Sequence, residues 1–223
     1  MFPGKHSANP QVTGPIGGKK GYSPGVLPEL TDAQERALAS YETLLRERAL
    51  PLGLVAESDV DRLGERHVRD SLRAAAVLSD SDSLVCDIGS GAGLPGLVLA
   101  IARPDIRVVL IEPKQRAVGF LELAIDRLGL SNVEVRAERI EDANLGLEAD
   151  AATARAFGSL ERSWQAACRV LRPGGRLIYF AGEGLGDPAG VAMAVTDPEQ
   201  PESVLVERVV AGSSPLTIMT RQG

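Results

Sequence analysis

Apolar residues along this chain follow two periods. Leu38, Tyr41, Leu44 and Leu45 recur at helical spacing behind Thr31-Asp32, which can cap a helix start with Glu35 in the capping position for Asp32. Pro51 and Gly53 end that helix. A second helical segment is expected over about Asp59 to Leu78, followed by the polar loop Ser79-Asp80-Ser81-Asp82-Ser83. Beyond it, short apolar strands alternate with helices. Val85 to Ile88 reads as a buried strand and Leu97 to Ile101 as a helix. Arg107 to Ile111 is a strand, followed by a helix over Gln115 to Leu128 closed by Gly129. Val133 to Arg136 and Ala151 to Ala154 are further strands. Leu160, Trp164, Ala167 and Leu171 mark a helix, and the turn Arg172-Pro173-Gly174-Gly175 leads into a strand at Arg176 to Phe180. Val204 to Val210 and Leu216 to Thr220 are two β-rich runs that can pair as a hairpin. Alternating strands and helices predict an α/β fold with a mostly parallel sheet and helices on both faces. The chain shows no internal repeat.

Composition narrows what such a fold does. The 223 residues suffice for one α/β domain with a short extra segment, and 44% hydrophobic residues support a packed core. We divide the chain into an arm over 1–28, a helical segment over 29–80 and a sheet-bearing domain over 81–223, the last two forming one compact unit. The arm is rich in Pro, Gly and Lys, lacks the apolar stretch of a secretory signal, and reads as disordered. No apolar run approaches the ~20 residues of a membrane span, so a cytoplasmic protein without a membrane partner is expected. Cys86 and Cys168 read as reduced packing residues, and no Cys/His cluster has metal-ligand spacing, so no metal is expected. A net charge of −6 argues against a general nucleic-acid binder, because counterion release needs a basic face. A local basic patch remains open, with Arg66, Arg69, Arg73 and the arm's Lys19 and Lys20 as candidates. Arg62, Arg66, His67, Arg69 and Arg73 cluster in sequence, interleaved with Asp61, Glu65 and Asp70, which is also the pattern of a solvated helix face.

The chemistry concentrates in Val85-Cys86-Asp87-Ile88-Gly89-Ser90-Gly91-Ala92-Gly93-Leu94-Pro95-Gly96. A strand, an acidic residue at its carboxyl end, a glycine-rich turn and a helix start make a nucleotide-cofactor cradle. Gly91, Gly93 and Gly96 fit the dinucleotide pattern G-x-G-x-x-G, which alone is weak. Asp87 decides between cofactors. A carboxylate there suits the ammonium group of S-adenosylmethionine and suits a pyrophosphate badly. Glu112, ending the next strand about 20 residues on, suits ribose hydroxyls in either class.

Finer motifs follow in order: Glu65-Arg66-His67-Val68-Arg69-Asp70-Ser71-Leu72 before the cradle, the Leu94-Pro95-Gly96 extension, Arg116 and Phe120-Leu121, Arg139-Ile140-Glu141-Asp142, Ala154-Arg155-Ala156-Phe157, and Leu171-Arg172-Pro173-Gly174-Gly175. Over about residues 31 to 182 this set resembles the small-subunit (16S) ribosomal RNA guanine-N7 methyltransferase family, also called the glucose-inhibited division protein B family. The resemblance implies a class I S-adenosylmethionine-dependent methyltransferase fold. That fold is Rossmann-like, with a mostly parallel seven-stranded sheet, an antiparallel C-terminal hairpin and an N-terminal helical extension. It implies S-adenosyl-L-methionine as cofactor and 16S ribosomal RNA or the small ribosomal subunit as partner, with a monomeric enzyme expected. Carried over by position, Gly89 and Leu94 line the methionine side of the cofactor, Ile140 and Glu141 its adenine, and Arg155 lies beside the methyl group or the donor's carboxylate. Arg155 and His67 are the substrate-side candidates, and the local basic patch is the expected RNA contact. The competing readings are a structural salt bridge for Arg155, to Glu112 or Glu141, a packing or capping role for His67, and a solvated helix-start acid for Glu141.

The chain departs from the family at Gly53-Leu54-Val55, where Asn-Leu-Thr is usual, and at Phe180-Ala181-Gly182, where Leu-Lys-Gly is frequent. The Asn/Asp-Pro-Pro-aromatic motif of exocyclic amino methyltransferases is absent after the fourth strand. A small-molecule methyltransferase, a non-catalytic cofactor-binding paralogue and an NAD-dependent oxidoreductase are the rival readings. The last lacks a downstream Tyr-Lys or Ser-Tyr pattern.

Overall fold

Strands rich in Val, Ile and Ala, buried on both faces, build the centre of the molecule in a computed structural model that describes residues 27–142, 145–180, 204–211 and 214–221, with side chains given outside 204–215. The strands are β1 (Leu84–Ile88), β2 (Arg107–Ile111), β3 (Val133–Arg136), β4 (Ala149–Arg155), β5 (Leu171–Phe180), β6 (Val204–Ala211) and β7 (Ser214–Arg221). They form one seven-stranded sheet in the order β3-β2-β1-β4-β5-β7-β6. β1 to β5 pair in parallel, and β7 runs antiparallel to both β5 and β6. The order reverses between β1 and β4, so the sheet's switch point, where such folds bind ligands, lies at the carboxyl ends of those two strands. The arm's residues 1–26 and the Ala181-Gly182 end of the fifth-strand motif lie outside the described residues.

Helix α3 (Gly96–Ala102) has no polar face: all seven residues are buried. Such a helix must be covered on every side. One side is the sheet; the other is the N-terminal helical segment, α1 (Asp32–Leu44) and α2 (Asp70–Ala75). Leu38, Tyr41, Leu45, Leu63 and Leu72 share one core with α3 and with Phe120 and Leu121 of α4 (Gln115–Leu128). Each fully buried leucine contributes roughly 1.5–3 kcal/mol, so this helical layer is integral to the sheet's core. α5 (Leu160–Cys168) covers the opposite face, with Trp164 fully buried in one core with Val109, Ala152 and Leu177.

Three local differences from expectation have physical reasons. The capping box of α1 uses Thr31 and Gln34: Thr31 Oγ1 accepts the Gln34 N–H at 3.3 Å, and Gln34 Oε1 accepts the Thr31 N–H at 2.9 Å. Glu35 instead accepts two bonds from Arg69, at 2.9 and 2.6 Å. The segment expected as one helix over 59–78 is a 3-10 turn (Glu57–Arg62), a wide π turn (Leu63–Arg69) and then α2. Gly64 sits where an added Cβ would lie 2.6 Å from the Glu42 carboxylate, so α1 and the π turn approach closely. β5 begins five residues earlier than expected. Ala149 pairs with Leu171 and Ala151 with Arg176, and the expected Arg172–Gly175 turn is a bulge inside the strand, with Gly174 at φ +76°.

Candidate active site

The glycine turn is pinned from both flanks. Gly89 and Ser90 N–H donate to Ile111 O of β2, at 2.9 and 3.2 Å. Glu112, at the end of β2, accepts the Gly91 N–H on Oε2 and the Lys114 N–H on Oε1, both at 2.9 Å. Asp87 is 1% exposed. Its carboxylate accepts the Thr153 hydroxyl at 2.6 Å and the Gly96 N–H at 3.3 Å, tying β1 to β4 and to the start of α3. Burial pushes the Asp87 carboxyl up to about 6, against the pull of those hydrogen bonds. Both acidic residues singled out in the sequence therefore hold the turn's shape, and a direct contact from Asp87 to an ammonium group requires an exchange of one of these bonds.

The glycines serve different purposes. A Cβ on Gly96 would lie 2.7 Å from Asp87 Oδ2 and 2.9 Å from Asp87 Cβ, so Gly96 lets α3 pack on β1. Gly91 has φ +54°, and its Cβ position meets nothing closer than Gly89 O at 3.9 Å. The turn is thus open at Gly91, between Glu112 and the end of β1. That is the fit expected of a site where a ligand approaches bare backbone. Leu94, half-buried and followed by a cis peptide to Pro95, packs against the core below the turn. Tyr41 of α1 reaches the turn from behind and donates to Ala92 O at 2.6 Å; burial, with the Asp87 charge, holds its phenol well above the ordinary range.

The end of β4 closes the site. Arg155 crosses to the helical segment. Its Nη2 donates to Arg66 O at 2.8 Å and lies 3.3 Å from His67 Nδ1. Its Nη1 is 3.1 Å from Asp70 Oδ2, 3.3 Å from Ser71 Oγ and 3.4 Å from His67 O. The two substrate-side candidates are therefore in contact, and the carboxylate partner of Arg155 is Asp70 rather than Glu112 or Glu141. Asp70 also pairs with Arg73 Nε at 2.6 Å, and both guanidiniums lie over the Phe180 ring, at 5.1 and 5.4 Å from its centre. A guanidinium can only donate, so His67 Nδ1 accepts and the ring proton sits on Nε2, 3.0 Å from Asp59 Oδ2. Burial, and then the Arg155 charge, lower the His67 pKa and keep the ring neutral.

Directly after Arg155, Ala156 has φ +53°, an uncommon conformation for a residue with a Cβ. It turns the chain so that the Phe157 ring touches Gly89, 2.5 Å from the place a Cβ would take. The Arg162 guanidinium lies 4.9 Å above that ring and bonds Glu141 Oε1 at 2.9 Å. Ile140 is 2% exposed in the α5-side core. Sequence reasoning missed Tyr41, Asp70, Thr153, Phe157, Arg162 and Phe180. Thr153 carried a signal as the one hydroxyl inside an Ala-rich strand, and Asp70 and Phe157 lay inside motifs already singled out. Of the arginines expected to form a basic patch, Arg73 is buried and paired with Asp70, Arg69 is paired with Glu35, and Arg66 lies 3.8 Å from Asp59. Lys19 and Lys20 lie outside the described residues.

Comparisons with known proteins agree with this geometry. The family profile described as "GidB: rRNA small subunit methyltransferase G" matches residues 34–211. The chain is 39% identical to the ribosomal RNA small subunit methyltransferase G of Acidothermus cellulolyticus, over 77% of this chain and 78% of that protein. It is 36% identical to that of Kineococcus radiotolerans, over 85% and 80%. It is 42% identical to that of Clavibacter sepedonicus, over 64% of this chain and 66% of that protein. Among solved structures, a methyltransferase from Geobacter sulfurreducens superposes with a TM-score of 0.53 at 19% identity, covering 88% of this chain and 91% of that one. M. jannaschii TYW2 in complex with AdoMet gives 0.50 at 16%, covering 70% and 75%. At those identities the likeness is one of fold: the class I methyltransferase sheet with its reversed last strand. The chain belongs to the ribosomal RNA small subunit methyltransferase G family, a family of S-adenosylmethionine-dependent methyltransferases.

Proposed function

We propose that this protein transfers a methyl group from S-adenosylmethionine to N7 of a guanine in a loop of 16S ribosomal RNA, acting as a cytoplasmic monomer. The observation that carries the reading is the open backbone at Gly91, at the switch point of the sheet, flanked by Glu112 and by Arg155 at the end of β4. When bound there, the cofactor supplies a methyl group on a sulfonium. Gly89, Gly91, Gly93 and Leu94 would hold its methionine side, Glu112 its ribose, and Ile140 and Glu141 its adenine. Asp87 shapes the turn.

Guanine N7 has a free lone pair in the neutral base, so the chain need not remove a proton. What remains for it is alignment, which can supply most of the acceleration. The residues around the site suit alignment, since His67 is held neutral between two partners and Asp87 is buried and bonded. A base in an RNA loop can be splayed into a pocket at low cost. The test uses purified protein, labelled S-adenosylmethionine and 16S RNA from a strain lacking the enzyme. Label recovered as N7-methylguanine at one position is expected. Calorimetry should show binding of S-adenosylmethionine and S-adenosylhomocysteine but not NAD. Transfer to small molecules with none to RNA would sink the substrate assignment, and NAD binding without S-adenosylmethionine binding would sink the cofactor.

A further inference from the structure

An acidic protein that acts on RNA needs a place where phosphate is welcome, and of the arginines ahead of the cradle only Arg62 is exposed with no ion pair among the described residues. Arg69 and Arg73 are held by Glu35 and Asp70, and the groove between α1 and the π turn, about 400 Å³, is lined by Glu35, Glu42, Asp61 and Glu65 against Arg69 alone. The opposite side of α1 differs. The turn that ends the first helical run meets the first turns of α4 in a second groove of about 440 Å³, lined by Arg48, Pro51, Leu52, Arg116 and Gly119, with Glu47 its one carboxylate. Arg48 and Arg116 are exposed, as is Lys114 just before α4. Among the described residues none of these three forms an ion pair. Leu52, at 39%, is one of only two exposed large apolar side chains among the described residues. α4 starts just after Glu112 and the end of β2, so this groove opens at the carboxyl edge of the sheet, where the glycine turn and Arg155 also lie.

We propose that this groove seats a single-stranded stretch of the RNA next to the target base, with phosphates on Arg48 and Arg116 and an unstacked base against Pro51 and Leu52. Charge selects the occupant. Two unneutralised guanidiniums beside an apolar edge fit a polyanion carrying flat apolar faces, and stacking plus phosphate contact is the general mode for single strands. The acidic groove on the other side of α1 repels the same strand, which fixes the side on which the RNA passes. The inference rests on the RNA-methyltransferase reading above.

The test compares wild type, the double variant Arg48→Glu/Arg116→Glu and a control, Arg127→Glu, at the far end of α4. Each is titrated with deproteinised 16S ribosomal RNA at several salt concentrations and assayed for methyl transfer. The double variant should bind RNA at least about 10-fold more weakly, with a log–log salt slope shallower by roughly 1.4, two single-strand phosphate contacts. Its affinity for S-adenosylmethionine and its melting temperature should match wild type, and Arg127→Glu should match wild type throughout. If wild type methylates the RNA and the double variant keeps its affinity and slope, the groove is wrong and the enzymatic reading stands. An equal loss in Arg127→Glu would make the effect one of overall charge and overturn the groove. If wild type neither binds nor methylates the RNA while still binding the cofactor, both readings fall together.

Discussion

Arg155 is the residue whose replacement tests most of the site at once. Its fork spans two helical carbonyls, the Asp70 carboxylate, the Ser71 hydroxyl and the His67 ring, with the short 2.8 Å bond to Arg66 O and the 3.1 Å pair to Asp70 the strongest. Arg155→Lys keeps the charge, but one ammonium cannot reach both. One charge-assisted bond of about 1.5–3 kcal/mol is lost, while Asp70 keeps Arg73 as partner. For a chain of this size each kcal/mol moves Tm by about 2–4 °C, so a fall of roughly 3–12 °C is expected. Arg155→Ala removes every bond of the fork, leaving Asp70 with Arg73 alone and the Arg66 and His67 carbonyls without this donor, and should cost more than Arg155→Lys, above about 3 kcal/mol. On the proposed placement of Arg155 beside the donor, kcat/KM of Arg155→Lys should drop roughly 10- to 100-fold even well below its Tm. Thermal melts, cofactor calorimetry and methyl transfer to 16S RNA, all on the same preparations, separate the effects. A wild-type Tm for Arg155→Lys refutes the clamp. Wild-type turnover for both variants removes Arg155 from the reaction and leaves it a staple between β4 and the helical segment.

Two glycines should fail in opposite ways. Gly96→Ala drives a Cβ into Asp87 and should cost about 1–3 kcal/mol of stability, whereas Gly91→Val should keep the fold at a cost of about 1–2 kcal/mol for its φ and lose S-adenosylmethionine binding; calorimetric binding by Gly91→Val at wild-type strength would show that Gly91 does not face the donor. The Asp87 carboxyl, raised from 3.8 to about 6, keeps a proton in the fold that the unfolded chain has released, so it adds stability below about pH 4 that is lost as pH rises to about 6, on the order of 3 kcal/mol. In Asp87→Asn that component of the pH slope should vanish, and urea midpoints at pH 4.5 and 7 with the same spacing as wild type would contradict it.

Much of the fold was legible because its elements are locally overdetermined. β2 and α4 have the bounds their patterns predict, and Gly129, in the left-handed region at φ +63°, ends α4 where expected. The hairpin of β6 and β7 followed from two β-rich runs alone. What was not legible depends on partners far along the chain. Nothing local says that Glu35 will bond Arg69, leaving the capping role to Gln34, or that Gly64 will sit against the Glu42 carboxylate. The site divides the same way. The glycine turn and Glu112 could be read as a local motif, but Arg155, His67 and Asp70 become one unit only through contacts spanning 84 to 89 residues. Alternating charges around residues 61–73 looked alike whether they faced solvent or a partner, and the fold divides them: Asp61, Arg62 and Glu65 are exposed, while Arg66, His67, Arg69 and Arg73 each have a carboxylate partner.

That pairing also explains how a helical layer added before the sheet comes to matter for chemistry. α3 is apolar all round and needs a cover; the cover supplied by α1 and α2 brings Tyr41 onto Ala92 behind the turn and Asp70 onto Arg155 in front of it. A reaction that requires alignment more than proton transfer depends on how firmly these walls are held. Here the turn is held by Glu112 and Asp87 through backbone N–H groups, and the end of β4 by a half-buried guanidinium shared among two carbonyls, a carboxylate and a neutral imidazole. Every one of those anchors is hydrogen-bonded or ion-paired within the chain itself, so the cost of ordering them falls on folding instead of on the reaction.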